Sequence, residues 1–239
     1  TDPLDSYGNA FWAGVTGEVT YWDPFRIAWD VNYGSVSYED EKMNREGWLA
    51  SLLLEYKLDW GTPGIFGWYS SGDDGNVKNG SERMPTMSGC ANFMSFMGDG
   101  NYGWGDPRLY DRNLTYAGTW GLGLQVADVS FMEDLKHTFR VLYWGGTNSP
   151  SMVKYATTRT DWNYTNDYEG IYLTTNDGLL EFNINSVYQV YDNFSIGLWL
   201  GYIANLMDSG TWQDGHAYLG DSYSKQDIWN VDLTFAYTF

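Results

Sequence analysis

The chain has 239 residues and a formal charge of −18, from 31 acidic against 13 basic side chains. That sign excludes a general nucleic-acid binder, which needs a cationic face for phosphates. It suits cation attraction, divalent ions held in loops, or plain solubility. Aromatics make up 18%, with 13 Trp and 20 Tyr, and the single cysteine, Cys90, excludes an internal disulfide. Mean hydropathy is −0.43, and no apolar run is long enough to cross a bilayer as a helix. A β-barrel evades that test, because only every second residue of its strands faces lipid. The chain opens Thr1-Asp2-Pro3, without signal peptide or initiator Met. It is therefore expected to be processed or to be a piece of something longer.

The first predicted strand runs from Phe11 to Trp22, with Phe11, Ala13, Val15, Val19 and Tyr21 on one parity. Asp23-Pro24 turns the chain. Phe25, Ile27, Trp29, Val31 and Tyr33 then alternate with Arg26, Ala28, Asp30 and Asn32, completing a hairpin with one apolar face. Its polar face carries Glu18, Arg26 and Asp30, which suit a wet lumen better than a packed sandwich core. An acidic loop, Glu39 to Arg45, follows.

The third strand puts Trp48, Ala50, Leu52, Leu54, Tyr56 and Leu58 on one face and Ser51, Glu55 and Lys57 on the other, with Leu49 and Leu53 as exceptions. After Asp59-Trp60-Gly61 comes a fourth strand, about Ile65 to Ser70, with ambiguous alternation. Residues 72–113 form the longest irregular stretch, a length that is uncommon without a function. The fifth strand, Leu114 to Val126, alternates Trp120, Leu122, Leu124 and Val126 with Thr119, Gly121, Gly123 and Gln125. Past Glu133-Asp134, the sixth sets Phe139, Val141 and Tyr143 against Thr138, Arg140 and Trp144.

A second long loop spans about 147–168. The seventh strand sets Leu180, Phe182, Ile184, Tyr188 and Val190 against Glu181, Asn183, Asn185 and Gln189. Tyr191-Asp192-Asn193 turns into the eighth, where Phe194, Ile196, Leu198, Leu200 and Tyr202 oppose Ser195, Gly197, Trp199 and Gly201. A third loop covers about 205–222. The terminal strand places Trp229, Val231, Leu233, Phe235, Tyr237 and Phe239 on one parity, the set expected to face lipid, with Asp232 on the other.

Short turns alternate with long loops, as periplasmic turns and extracellular loops do in bacterial outer-membrane barrels. Tyr21, Trp22, Tyr33, Tyr56, Trp60, Tyr191 and Tyr202 lie near strand ends, where interfacial girdles belong. Lipid tolerates no unpaired backbone, so such strands must join a closed ring. The expected fold is all-β: a single transmembrane antiparallel β-barrel domain over 1–239. About nine strands do not close an antiparallel ring. The chain is therefore expected to complete a barrel of roughly 16–18 strands whose N-terminal part lies elsewhere, with a small complete barrel containing one missed strand as the alternative.

Several strings carry a resemblance: Gly17-Glu18-Val19-Thr20, the run from Trp22 through Asp30, and Asn32-Tyr33-Gly34-Ser35-Val36. Further ones are the run from Gly47 through Leu53, Glu55-Tyr56-Lys57-Leu58-Asp59-Trp60-Gly61, Gly72-Asp73-Asp74-Gly75-Asn76, Leu173-Thr174-Thr175, Phe182-Asn183, Asp192-Asn193-Phe194-Ser195 and Gly201-Tyr202-Ile203. The chain resembles the outer membrane homotrimeric porin family of sulfate-reducing (Desulfovibrio-type) bacteria over most of its length. The resemblance implies a general-diffusion porin of the Gram-negative outer membrane, built as a homotrimer, with this chain as its C-terminal half and an N-terminal fragment of the same porin as partner. It implies no catalytic residues and no cofactor.

Seven charges share the polar parity and are the candidate pore lining: Glu18, Arg26, Asp30, Glu55, Arg140, Glu181 and Asp232. Such rings set channel selectivity, or several of them merely hydrate the wall. Outer-membrane lipid, small solutes and ions are the expected partners, with a modest cation preference from the acid excess. Asp73 and Asp74 are weak metal candidates for a loop-bound Ca²⁺; the spacing fails the EF-hand pattern, and a solvated turn is the simpler reading. His137 stands alone beside a turn. His216, with Asp208, Asp214 and Asp221, is the set that a hydrolase on the barrel rim would use, but no serine or second histidine falls at a persuasive spacing. The run from Arg83 to Met97 is expected to fold into the lumen or pack on a neighbouring subunit. The rival from another class is a soluble, aromatic-rich β-sandwich that binds or cleaves polysaccharide.

Overall fold

A computed structural model describes residues 8–76, 78–85, 117–154, 173–215 and 226–239. They form nine strands: β1 (Asn9–Val19), β2 (Phe25–Ser37), β3 (Arg45–Tyr56), β4 (Thr62–Ser70), β5 (Thr119–Met132), β6 (Leu135–Gly146), β7 (Gly178–Tyr191), β8 (Phe194–Asn205) and β9 (Ile228–Tyr237). A short helix, α1 (Ser209–Gly215), lies between β8 and β9. No helix among the described residues is long and apolar enough to cross a membrane, which says nothing about crossing with strands.

All nine strands belong to one antiparallel sheet, in the order β1-β2-β3-β4-β5-β6-β7-β8-β9. Each strand pairs with its neighbour in sequence. The sheet does not close: β1 pairs only with β2, and β9 only with β8. Every strand anticipated from alternation is present. The fourth starts at Thr62, so Pro63 sits inside it opposite Val126. The fifth continues past Val126 to Met132 through two register shifts, with Asp128 in the left-handed region at φ 56°. Residues 114–116 of that expected strand, and Cys90, lie outside the described residues.

Tight connections join β1–β2, β3–β4, β5–β6 and β7–β8 at one end of the sheet. The β5–β6 link is two residues, with Asp134 at φ 63°, a conformation that Asp tolerates better than most side chains. The longer connections all leave the other end.

Alternation gives the sheet two unlike faces. On the outer face Val15, Val31, Leu52, Leu54, Ile65, Leu122, Leu124, Val231 and Leu233 are all exposed. The inner face holds the core, which is where expectation and structure differ. Rather than being uniformly polar, it centres on Leu53, Phe66, Trp68, Leu142, Trp144, Leu179 and Ile203, joined by Leu173. The register explains how bulky groups fit there. Leu53, Phe66, Gly123 and Leu142 are successive cross-strand partners, and so are Trp68, Gly121 and Trp144. Gly121 lies under the Trp68 ring and Gly123 under Phe66, so a Cβ at either would collide with an aromatic side chain. The ambiguous alternation of β4 resolves the same way, with Phe66 and Trp68 inward and Ile65 and Tyr69 outward.

Candidate functional site

The outer face is banded. Phe25 and Tyr33 on β2, Tyr56 and Trp48 on β3, Phe194 and Tyr202 on β8, and Tyr237 and Trp229 on β9 are each eight residues apart. Eight residues of strand span roughly 27 Å. Two aromatic rows result, with aliphatic side chains between them. In the row near the long loops, Trp48 stacks on Tyr69 at 5.0 Å, Trp120 meets Tyr143 at 5.7 Å and Phe182 stacks on Tyr202 at 6.4 Å. In the row near the tight turns, Phe25 meets Tyr56 edge-on at 4.6 Å, and Phe194 stacks on Phe235 at 6.5 Å. The six residues expected to face lipid are exposed, from Val231 and Leu233 at 55% to Trp229 at 74% and the terminal Phe239 in full. No second sheet covers them among the described residues. Tyr21, Trp22, Trp60 and Tyr191 are exposed near the tight turns as well.

On the inner face, four of the seven candidate pore-lining charges come together. The Arg26 guanidinium bridges Glu18 at 3.0 Å and Glu55 at 2.6 Å. Gln125 donates through Nε2 to Glu55 Oε1 at 2.7 Å, and Arg140 donates through Nε to Gln125 Oε1 at 3.2 Å. This ladder runs from β1 to β6 across β4, which contributes only Gly64. A Cβ at Gly64 would meet Glu55 Cγ at 3.0 Å and Gln125 Cγ at 3.3 Å, so the gap in side chains is what lets Gln125 reach Glu55. The four formal charges of the ladder cancel.

The other three stand apart from it. Glu181 is fully buried among the apolar core, accepting from Trp144 Nε1 at 3.1 Å and Asn183 Nδ2 at 2.9 Å. Asp30 accepts from Asn32 Nδ2 at 2.6 Å, and Asp232 from the Thr234 hydroxyl at 3.3 Å. Gln125 was legible as an inward polar residue, but nothing in the sequence marks it as the hinge of the ladder.

At the long-loop end a knot of buried polar groups fastens the connections. Asn148 accepts from the Asp73 N–H at 2.9 Å and donates to the Gly118 and Leu173 carbonyls at 3.1 and 2.7 Å. Asp177 accepts from the Thr174 N–H and hydroxyl, both at 2.7 Å, and from the Asp208 N–H and Trp212 Nε1, both at 2.9 Å. Trp12 Nε1 donates to the Pro85 carbonyl at 2.8 Å. The run beginning at Arg83 thus starts against the inner face of β1–β2, and its continuation from residue 86 lies outside the described residues.

The weak metal candidates Asp73 and Asp74 gain a third carboxylate, Glu82, which sequence spacing did not single out. Oxygens of the three lie within 4.8 Å of one another. Burial pushes the Asp73 carboxyl above the usual carboxylate range, against the Gly75 N–H, the Ser81 hydroxyl and the Arg83 guanidinium, which pull it down. Burial likewise raises Glu82. The hydrolase candidates gain no support. His137 Nδ1 lies 2.8 Å from the Ser186 hydroxyl between the rings of Phe131 and Phe139. Asp208 caps α1 through the Thr211 N–H at 2.7 Å. His216 and Asp221, and the Asp214 side chain, lie outside the described residues.

No family model matches the chain, and no curated protein matches it. The resemblance to the homotrimeric porin family therefore rests on the quoted residue strings alone.

Proposed function

We propose that the chain forms part of the wall of an outer-membrane β-barrel porin, a passive channel for small hydrophilic solutes and ions, with no catalytic role. The observation that carries this reading is the exposed outer face: aliphatic side chains held between two aromatic rows roughly 27 Å apart along the strands. An exposed apolar surface of that extent needs a cover, and its banding fits acyl chains flanked by two interfaces better than it fits a second sheet. The sandwich alternative requires Trp229, Val231 and Leu233 to be buried, and they are exposed.

Closure follows from strand direction. β1 and β9 run the same way, so an antiparallel ring needs an odd number of further strands. A second copy of the same nine would meet this one in parallel at both seams. An N-terminal portion of the same porin, with seven or nine strands, would give roughly 16–18 in all. The trimer is proposed from the family resemblance. Since the Glu18–Arg26–Glu55–Arg140 ladder is neutral and Glu181 is buried, any cation preference comes from Asp30, Asp232 and acidic loop residues. Reversal potentials across a planar bilayer under a KCl gradient test the proposal. The expected result is discrete conductance with a cation-selective sign. Failure of the intact porin to raise conductance, or partition of the chain into the aqueous phase on detergent phase separation, overturns it.

A further inference from the structure

We infer that the loop after β4 holds a hard divalent cation, calcium above all, through Asp73, Asp74 and Glu82. Their carboxylate oxygens converge within 4.8 Å, the spread expected of oxygens around one ion. Convergence of acids alone is weak, since exposed carboxylates cluster freely in solvated loops. The stronger sign is Asp73. It is 2% exposed; Oδ1 accepts the Gly75 N–H at 3.1 Å, and the Ser81 hydroxyl and the Arg83 guanidinium also favour its charged form. Oδ2 is buried with no hydrogen-bond partner. A buried carboxylate oxygen left unpaired is costly unless a cation answers it.

The surroundings shape the site further. Glu82 Oε2 accepts from the Asp74 N–H at 3.0 Å, which ties the two ends of the loop together. The Asn79 amide reaches Glu82 Oε1 at 3.0 Å and Asp74 Oδ2 at 3.5 Å. Rotating that amide by a half-turn presents its oxygen in place of its nitrogen, adding a fourth oxygen ligand at no change of backbone. Asn79 and Glu82 also line an open cleft of about 430 Å³ beside Trp48. The cleft supplies an entry path and room for the waters that complete six to eight oxygen ligands around calcium. The nearby Arg83 guanidinium opposes a cation, which argues for weak binding, with a Kd on the order of 10⁻⁴–10⁻³ M. The inference does not depend on the channel reading, since it concerns a loop outside the strands.

Terbium chloride luminescence, excited through tryptophan, tests it on the full chain, with Trp48, which lines the same cleft as Glu82, as a sensitiser. Calcium chloride is expected to quench the signal competitively. Glu82→Gln and Asp73→Asn are expected to weaken binding roughly tenfold or more, whereas Asp192→Asn in the β7–β8 turn leaves it unchanged. Heat unfolding of each variant checks that the fold persists. A signal that calcium does not displace, or one equally lowered by Asp192→Asn, overturns the inference; so does full retention of binding in Glu82→Gln.

Discussion

The same strands build two surfaces of opposite character, and neighbouring residues tell them apart. On β9, Leu233 lies in the exposed aliphatic zone midway between Trp229 and Tyr237, while Thr234 and Asp232 face inward beside one another. On β5, Leu122 and Leu124 are more than half exposed, while Gly121, Gly123 and Gln125 between and beside them are buried. For a water-soluble sheet the ordering would be reversed, with leucines covered and glutamines wet. The lesson is that a hydropathy average taken along these strands conceals the signal. What matters is which parity is exposed.

The largest expected effect comes from charging the exposed side. Leu233→Arg should lose about 2–4 kcal/mol of folding stability in bilayers, read as a shift in urea midpoint on vesicles. Thr234→Arg, one residue away and facing inward, should be far milder. Equal effects from the two would abolish the distinction between the faces.

Next comes the inner packing. Gly123→Val places methyl groups into Phe66 and Leu142 and should cost about 1–3 kcal/mol, seen in denaturant titration. A neutral outcome would mean that the inner aromatic layer can move aside.

Arg26→Gln tests the ladder. Its stability effect should stay below about 1 kcal/mol, because the Arg26 side chain is 44% exposed. The loss of one inward positive charge should move the reversal potential toward cation selectivity. A shift toward anions would sever the ladder from the conduction path.

The smallest effect concerns the loop knot, which belongs to neither face. The folded-state carboxyl of Asp73 is raised, so the folded chain holds its proton to higher pH than the unfolded chain does. Stability from this group is therefore greatest at low pH and falls as pH rises through and above the ordinary carboxylate range. Glu82, also raised, acts in the same direction. In chelator, amide exchange near residues 73–82 should be slower at acidic than at neutral pH, and Asp73→Asn should flatten that dependence. A slope of the opposite sign would contradict the burial of the carboxyl.

Much of the architecture was legible in the sequence because alternation at period two is a direct imprint of a sheet with unlike faces. Most strands could be placed from it, β4 only ambiguously, and Trp229 to Phe239 gave the clearest case. The apolar inner core was legible only as exceptions. Leu49 and Leu53 broke the pattern, but the glycines that accommodate Phe66 and Trp68 lie on β5, more than fifty residues further along the chain. The ladder was half visible. Its charges shared one parity, but their assembly depends on register, and register across β4 is set by 48 intervening residues between Ser70 and Thr119. Asp177 and Asn148 left no trace at all, since a buried capping Asp and a turn Asp look the same in one sequence.

The recurring eight-residue interval between aromatic pairs works as a ruler. On the proposed porin reading, strands inclined about 40° to the normal would make it span a film of roughly 20 Å, short of the ~25 Å apolar band usual in such barrels. Such a wall would favour short-chain lipid or thin what surrounds it. Insertion into vesicles should quicken as the acyl tails are shortened.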